Sequence, residues 1–134
     1  MFCFDTDVVV AALLREPPMP LVRRLAQTPA DAQCTTSVTV AEIAYAAARN
    51  GEPETISRLR DIVAAASIVL PFDADAAEVY GPLRAHLEGI GVRLDEPSLR
   101  IASIALAHDL TLVTASARLY DRVPGLRIEN WLEA

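Results

Sequence analysis

Residues 1–10 read MFCFDTDVVV, and this stretch decides the fold class. Residues 1–6 are typical of a short buried strand that ends in acid, at Asp5. Residues 8–15 continue as a helix or a turn, which ends at the Pro17-Pro18 pair. In open α/β sheets, ligands bind beside the carboxyl ends of the strands. The opening therefore predicts both an α/β unit and a site at the end of its strand.

The rest of the chain repeats this alternation of short apolar strands and helices. Further strands are predicted at residues 33–36, 68–72, 111–114 and 126–128. Helices are predicted at residues 21–26, from Ser37 or Thr39 as cap to Ala48, at 53–66, from Asp73 as cap to Gly89, and at 96–108 with Asp95 as cap. The alternation favours a parallel sheet with both faces covered by helices.

Composition and charge narrow the function classes. The chain has 134 residues, 52% of them hydrophobic, which suits one ordered domain and excludes a disordered chain. Its net charge is −6, so nucleic-acid binding would need a local strip of arginines, for which Arg23, Arg24 and Arg118 are candidates. A basic protein partner suits the overall charge better. We expect no membrane span and no signal peptide, and two cysteines predict a reducing cytoplasm rather than a disulfide scaffold.

Three acidic positions could carry chemistry. Asp5 follows an apolar strand, which favours a functional role, whereas Asp7 or Thr6 could simply cap the next helix. Glu42 lies among apolar neighbours and either points to solvent or serves a site. Asp95 and its neighbour Glu96 suit a helix start for electrostatic reasons alone, or they face Asp5 across a shared cation. Clustered carboxylates need a divalent ion such as Mg²⁺ or Mn²⁺, which can promote phosphodiester hydrolysis.

Other chemistries lack their parts. The chain has no glycine-rich phosphate loop and no G-x-S-x-G motif. We expect both histidines to lie on the surface and the remaining singled-out side chains to pack in the core: Cys3, Cys34, Tyr120 and Trp131.

Four stretches together resemble PIN-domain ribonucleases of the VapC toxin type. They are residues 4–9 (FDTDVV), 39–43 (TVAEI), 101–114 (IASIALAHDLTLVT) and 122–131 (RVPGLRIENW). The resemblance implies a PIN-like three-layer sandwich, an α/β fold whose small central parallel sheet is flanked by helices, as one domain over residues 1–134. It also implies a toxin that hydrolyses RNA with Mg²⁺ or Mn²⁺ and is controlled by a VapB-like antitoxin protein.

The resemblance carries over to the site residue by residue, with two departures. Asp5 matches the family's first acid and Glu42 its second, but serine replaces the third acid at Ser98 and a further acid or asparagine at Ser116. A serine hydroxyl is a poorer ligand than a carboxylate, so metal affinity should fall. The implied catalytic acids are Asp5, Glu42 and a compensating Asp95, one turn before Ser98. These residues and Ser98 would hold the metal, with Asp7, Thr114 and Ser116 supporting them or contacting substrate.

Two other functions compete with this interpretation. A degenerate PIN fold that no longer cuts RNA would survive as a partner-binding module, and Ser98 and Ser116 motivate it. A phosphatase is suggested by the D-x-D pattern of Asp5 and Asp7, with a nucleophile followed by a general acid. The absence of lysine from the sequence counts against the phosphatase.

Two helical faces could bind a protein partner. The alanine-rich stretch 41–48 and the apolar side of helix 53–66 either belong to the core or leave a groove open. An open groove would suit an amphipathic helix, and it predicts a homodimer or a bound antitoxin segment.

Overall fold

The computed structural model describes residues 1–65 and 68–133. A parallel sheet forms the centre of the fold, with the strand order β3-β2-β1-β4-β5. The described strands are β1 (Phe2–Phe4), β2 (Gln33–Thr36), β3 (Val69–Leu70), β4 (Thr111–Val113) and β5 (Arg127–Glu129). The predicted parallel α/β architecture is confirmed.

Helices connect the strands and cover the sheet. The described α-helices are α1 (Thr6–Leu13), α2 (Met19–Gln27), α3 (Ser37–Asn50), α4 (Pro53–Ala65), α5 (Ala74–Gly89), α6 (Glu96–Ala107) and α7 (Ala117–Tyr120). A single 3-10 turn, Ala30–Ala32, precedes β2. The last residue of the helix predicted at 53–66 lies outside the described residues. None of the helices described is both long and apolar enough to cross a membrane.

Two of the predicted helix caps are confirmed and one is wrong. Asp73 caps α5 and Asp95 caps α6. The side chain of each accepts the backbone N–H of the residue three positions later. The cap of α3 is Thr36, because its backbone is extended and its hydroxyl accepts the N–H of Thr39. At the other end of α3, Gly51 takes the left-handed conformation that favours glycine.

The edge strands differ most from their predicted bounds. β3 covers two residues of the predicted five, because Pro71 has no N–H to donate and the strand lies at the edge of the sheet. The other edge strand, β5, begins one residue later than predicted. Short edge strands leave few exposed hydrogen-bonding groups for unwanted pairing.

Consecutive residues of β4 pack into cores on opposite faces of the sheet. Leu112 joins a core built from α5, α6 and Tyr120, whereas Val113 joins one built from α1, Leu21 of α2 and Trp131. Tyr120 and Trp131 are buried, as predicted, and so are both cysteines. The rings of Phe2 and Phe4 lie 5.0 and 5.3 Å from that of Trp131. These layers of helix, sheet and helix confirm the predicted three-layer sandwich.

Candidate functional site

The carboxyl ends of β1, β2 and β4 meet at one edge of the sheet, and polar side chains collect there. Asp5 follows β1, Thr36 ends β2, and Thr114 follows β4. All three strands run parallel, so their ends lie side by side, and all three of these side chains are buried. The strand pattern of the sequence predicts a site at this edge of the sheet.

Asp5 is the most buried carboxylate of the site, at 6% exposed. One of its oxygens accepts the backbone N–H of Thr6 at 2.8 Å, which makes Asp5 the cap of α1. The other accepts the hydroxyl of Thr114 at 2.9 Å. Burial raises the pKa of Asp5, and the charge of Asp7 raises it further, against the opposing effect of the donors Thr6 and Thr114.

Asp7 does not cap the helix, because Asp5 occupies that position. Its carboxylate turns instead to the loop after β4, where it accepts the hydroxyl of Ser116 at 2.9 Å and the N–H of Ala115 at 3.1 Å. The Thr114 hydroxyl also lies 3.3 Å from Asp7. That hydroxyl has one proton to donate between two carboxylates. Asp5 and Asp7 therefore form a crowded pair of like charges, joined through Thr114.

Glu42 points into the site rather than outward along its helix edge. It is half-buried on α3, and its carboxylate accepts the hydroxyl of Thr6 at 2.7 Å. The same hydroxyl lies 3.3 Å from that of Thr39. Thr6 directly follows Asp5, so its hydrogen bond holds the Glu42 carboxylate beside the start of α1.

Asp95 and Ser98 form a third polar group at the start of α6. One oxygen of Asp95 accepts both the N–H of Ser98, at 3.2 Å, and its hydroxyl, at 3.0 Å. Asp95 is exposed, so this contact costs little desolvation. Asp95 therefore has the helix-cap role that the sequence suggested, and this role uses one of its two carboxylate oxygens.

The predicted triad of Asp5, Glu42 and Asp95 is not assembled as a ligand set. Within residues 1–65 and 68–133, no three side chains of His, Cys, Asp or Glu are grouped closely enough to hold a metal ion. Each acid of the triad instead contacts a hydroxyl: that of Thr114, Thr6 or Ser98. The site is therefore built of carboxylates spaced by hydroxyls, and the roles assigned to these residues stay predictions.

Tyr120 also belongs to the site, and the sequence did not indicate it. Its side chain is buried, and the polar side chains facing its hydroxyl are Ser98 and Asp5, with the charge of Asp95 acting on it as well. Tyr120 therefore links the start of α6 to the end of β1. A lone aromatic near the C-terminus carries no sequence signal for such a position.

The donor set fits a hard divalent cation. Every polar group at this edge offers oxygen, and Mg²⁺ and Mn²⁺ prefer oxygen ligands. Asp5 and Asp7 both contact the Thr114 hydroxyl, which brings two negative charges close together at this edge, and a cation would offset them. The two cysteines lie away from this chemistry, in the core between β1 and β2.

The arginines proposed for RNA contact are all exposed, but one has partners within the fold. Arg24 pairs with Glu129 at 2.7 Å, and its guanidinium lies 4.6 Å from the centre of the Trp131 ring. Arg23 and Arg118 are exposed on α2 and α7. Both histidines are exposed as predicted, with His108 lying 3.6 Å from Asp73.

Replacing Thr114 with valine should weaken the fold by about 1–3 kcal/mol, because Asp5 and Asp7 lose their shared donor while the space stays filled. Urea unfolding in EDTA measures this loss. Thr111→Val, in β4, is the matched control, since the hydroxyl of Thr111 accepts a hydrogen bond from the exposed Arg127. An equal loss in the two variants would show that the Thr114 hydroxyl has no special place between the acids.

Comparison with known proteins gives a consistent result. The family model described as "PIN domain" matches residues 2–126. The chain is 32% identical over 132 residues to Ribonuclease VapC2 of Haemophilus influenzae, covering 98% of each protein. It is 28% identical to the tRNA(fMet)-specific endonuclease VapC of Salmonella typhimurium, covering 97% of each.

Solved structures agree with the sequence relatives. DNA-bound VapBC from Salmonella typhimurium superposes with a TM-score of 0.89 at 28% identity, over 97% of each chain. VapBC2 from Rickettsia felis, bound to a promoter DNA fragment, gives a TM-score of 0.85 at 29% identity, over 97% of this chain and 98% of that one.

Proposed function

Because this chain belongs to the PIN-domain family and is an endoribonuclease of the VapC type, we propose that it cuts RNA at the edge where β1, β2 and β4 end, using Mg²⁺ or Mn²⁺. The observation that carries the proposal is the crowding of Asp5 and Asp7 around one threonine hydroxyl, with Glu42 held beside them through Thr6. The D-x-D phosphatase alternative loses its support, since the family match spans nearly the whole chain.

Asp5, Glu42 and Asp95 would hold the cation, with Ser98 as a neutral fourth ligand. A bound divalent cation supplies positive charge that offsets the negative charge developing on the phosphate, and it makes a water easier to deprotonate. Asp7 would remain bound to the loop after β4, because Ala115 and Ser116 donate to it. That loop would then stay in place while substrate binds.

The residues of the chain perform the remaining parts of hydrolysis. A water oxygen attacks phosphorus, the bond from phosphorus to the leaving ribose oxygen breaks, and that oxygen takes a proton from solvent water. Glu42 is half-buried at the rim, so it can accept the proton from the attacking water. The Thr6 hydroxyl orients Glu42, since it donates to the carboxylate at 2.7 Å. Three fully buried threonines, Thr36, Thr39 and Thr114, lie at this edge of the sheet.

Removal of divalent ions should abolish RNA cleavage, and adding Mg²⁺ or Mn²⁺ back should restore it. The measurement is cleavage of a tRNA transcript after dialysis against EDTA, because one relative cuts tRNA(fMet) by its name. Ca²⁺ serves as the control, since it is larger and prefers more ligands than this site offers. Full cleavage in EDTA would contradict the metal-dependent mechanism.

We also propose a VapB-like antitoxin as the protein partner, since solved relatives are VapBC complexes. An apolar cavity of about 300 Å³ lies between α1, α2 and α4, lined by Val8, Leu21, Leu25 and Ile62 among others. Helix α4 thus contributes to a groove, as considered from the sequence. The stretch 41–48 contributes Ile43 and Ala47 to the core, while Ala41, Glu42 and Tyr45 on its other side line a second open cavity.

A charged residue in that cavity should weaken antitoxin binding by about 2 kcal/mol or more, because its charge would be desolvated. The expected result is that Ile62→Asp lowers affinity in a titration with the cognate antitoxin while RNA cleavage by the free toxin persists. Val63→Asp, an exposed neighbour on the same helix, is the matched control. Equal binding by both variants would place the antitoxin elsewhere.

The predicted homodimer and the predicted cytoplasmic setting remain proposals. Large apolar side chains on α1 and α2 are exposed, namely Val10, Met19 and Val22, and they offer a surface for a second copy. The buried free thiols Cys3 and Cys34 suit a reducing compartment. Sedimentation of the purified chain would measure the oligomeric state.

A further inference from the structure

The Tyr120 hydroxyl is the buried polar atom whose position the fold does not explain. Among the described residues that are not exposed, it is the one fully buried side-chain oxygen or nitrogen that makes no hydrogen bond. Such groups are rare, because an unsatisfied hydroxyl destabilises a fold and phenylalanine fills the same space without it.

The ring of Tyr120 is fixed while its hydroxyl reaches the candidate site. The ring packs in the core with Leu99 and Leu112, at the end of α7. Its hydroxyl is faced by Asp5 and Ser98, and in this geometry it makes no hydrogen bond within the described residues. A rigid ring thus carries a donor to the gap between the end of β1 and the start of α6.

The chemistry of the phenol suits it to bind a ligand oxygen. A neutral phenol can donate one hydrogen bond and accept others. The carboxylate of Asp5 lies on one side of this hydroxyl. The neutral hydroxyl of Ser98 lies on the other side, at the position where the family has a carboxylate.

We propose that Tyr120 is a positioning residue of the site, whose hydroxyl binds a ligand oxygen held between Asp5 and Ser98. This inference rests on the proposed ribonuclease function and names a further residue for it. The oxygen belongs either to a water that accompanies the cation or to the substrate phosphate, and both present the same chemistry to the phenol. The Tyr120 hydroxyl thereby supplies a hydrogen bond on the side of the site where Ser98 is uncharged.

Tyr120→Phe tests the proposal, because it removes only the oxygen. We expect Mn²⁺ binding, measured by electron paramagnetic resonance without RNA, to weaken about 10-fold or more, the usual effect of losing a supporting hydrogen bond. The melting temperature in EDTA should stay equal or rise, since no internal hydrogen bond is lost. Tyr80→Phe is the matched control: its hydroxyl contacts Glu96, away from Asp5, so Mn²⁺ binding should not change.

A second titration identifies the source of the oxygen. If Mn²⁺ binding is unchanged but binding of a tRNA transcript in EDTA weakens in Tyr120→Phe, the bound oxygen is that of the phosphate, and the proposal stands. If both affinities are unchanged, if the melting temperature falls, or if the parent binds neither probe, the proposal is overturned. A parent that binds Mn²⁺ but cuts no RNA would refute the ribonuclease proposal alone, because the Mn²⁺ titration still decides the role of Tyr120.

Discussion

Asp5→Asn should reduce RNA cleavage by about 10³-fold, which corresponds to roughly 4 kcal/mol of lost transition-state stabilisation. Asp5 is the most buried acid at the candidate site and touches both the start of α1 and the loop after β4. An amide has the same shape but carries no charge, so it would hold a cation far less well. The loss should fall on kcat rather than on RNA binding, because Asp5 lies beneath the surface that RNA contacts.

The same substitution should leave the fold intact or strengthen it. Asparagine caps helices as well as aspartate does, so α1 keeps its cap. The pKa of Asp5 is raised above its ordinary 3.8, which means that the folded state binds more protons than the unfolded state between 3.8 and the raised value. Stability of the parent therefore falls as pH rises through that window. Asp5→Asn lacks this loss, so its advantage in EDTA should appear above about pH 4 and level off once the pH exceeds the raised pKa of Asp5.

Cleavage of a tRNA transcript in Mg²⁺ and urea unfolding in EDTA measure the two effects separately. Asp61→Asn is the matched control, because Asp61 is exposed on α4, and it should leave both unchanged. Cleavage at the parent rate by Asp5→Asn would refute the assignment of this acid. A large loss of stability instead would mean that the carboxylate serves the fold.

The fold could be predicted from the sequence because its signals are local. Strand β2 matches its predicted bounds, and Asp73 and Asp95 cap the predicted helices, since a capping side chain bonds to backbone three residues away. Bounds were less accurate at β3 and β5, the edge strands. There the end of a strand depends on how far its single neighbour extends, which is a property of the assembled sheet.

The site was predictable in its positions and less so in its contacts. Asp5 and Thr114 lie at one edge because parallel strands end together, a rule that needs only the strand assignment. Glu42 reaches this edge from α3, through its contact with Thr6. The exchange of the capping role between Asp5 and Asp7 could not be foreseen. It depends on Ala115 and Ser116, which lie more than a hundred residues further along and provide Asp7 with donors.

Threonine and serine hydroxyls hold the acidic side chains of the site in position. Thr6 holds Glu42, Thr114 joins Asp5 to Asp7, and Ser98 holds Asp95. A single sequence gives threonine and serine no functional signal, because they are common at helix starts and strand ends for local reasons. Tyr120 is harder still, since its ring belongs to the core and only its terminal oxygen belongs to the site.

Ser98→Asp should tighten Mn²⁺ binding by about 10-fold or more, because it adds a carboxylate where the family has one. The new charge would stand beside Asp95, which now accepts both the N–H and the hydroxyl of Ser98. Without metal, the repulsion should therefore lower the melting temperature. With saturating metal the difference should shrink or reverse, since a 10-fold tighter Kd adds about 1.4 kcal/mol more to the stability of the variant than to that of the parent.

This variant also separates the active enzyme from the degenerate binding module. If the parent cuts RNA with Mn²⁺, Ser98→Asp should cut faster at low metal concentration, and the module interpretation fails. If the parent is inactive and Ser98→Asp gains cleavage, serine at this position has silenced a complete site. Ser98→Asn is the control, because it has the size of aspartate without its charge. Should the asparagine variant bind Mn²⁺ as tightly as the aspartate variant, the charge at position 98 has no effect on the cation, and Ser98 loses its place among the ligands.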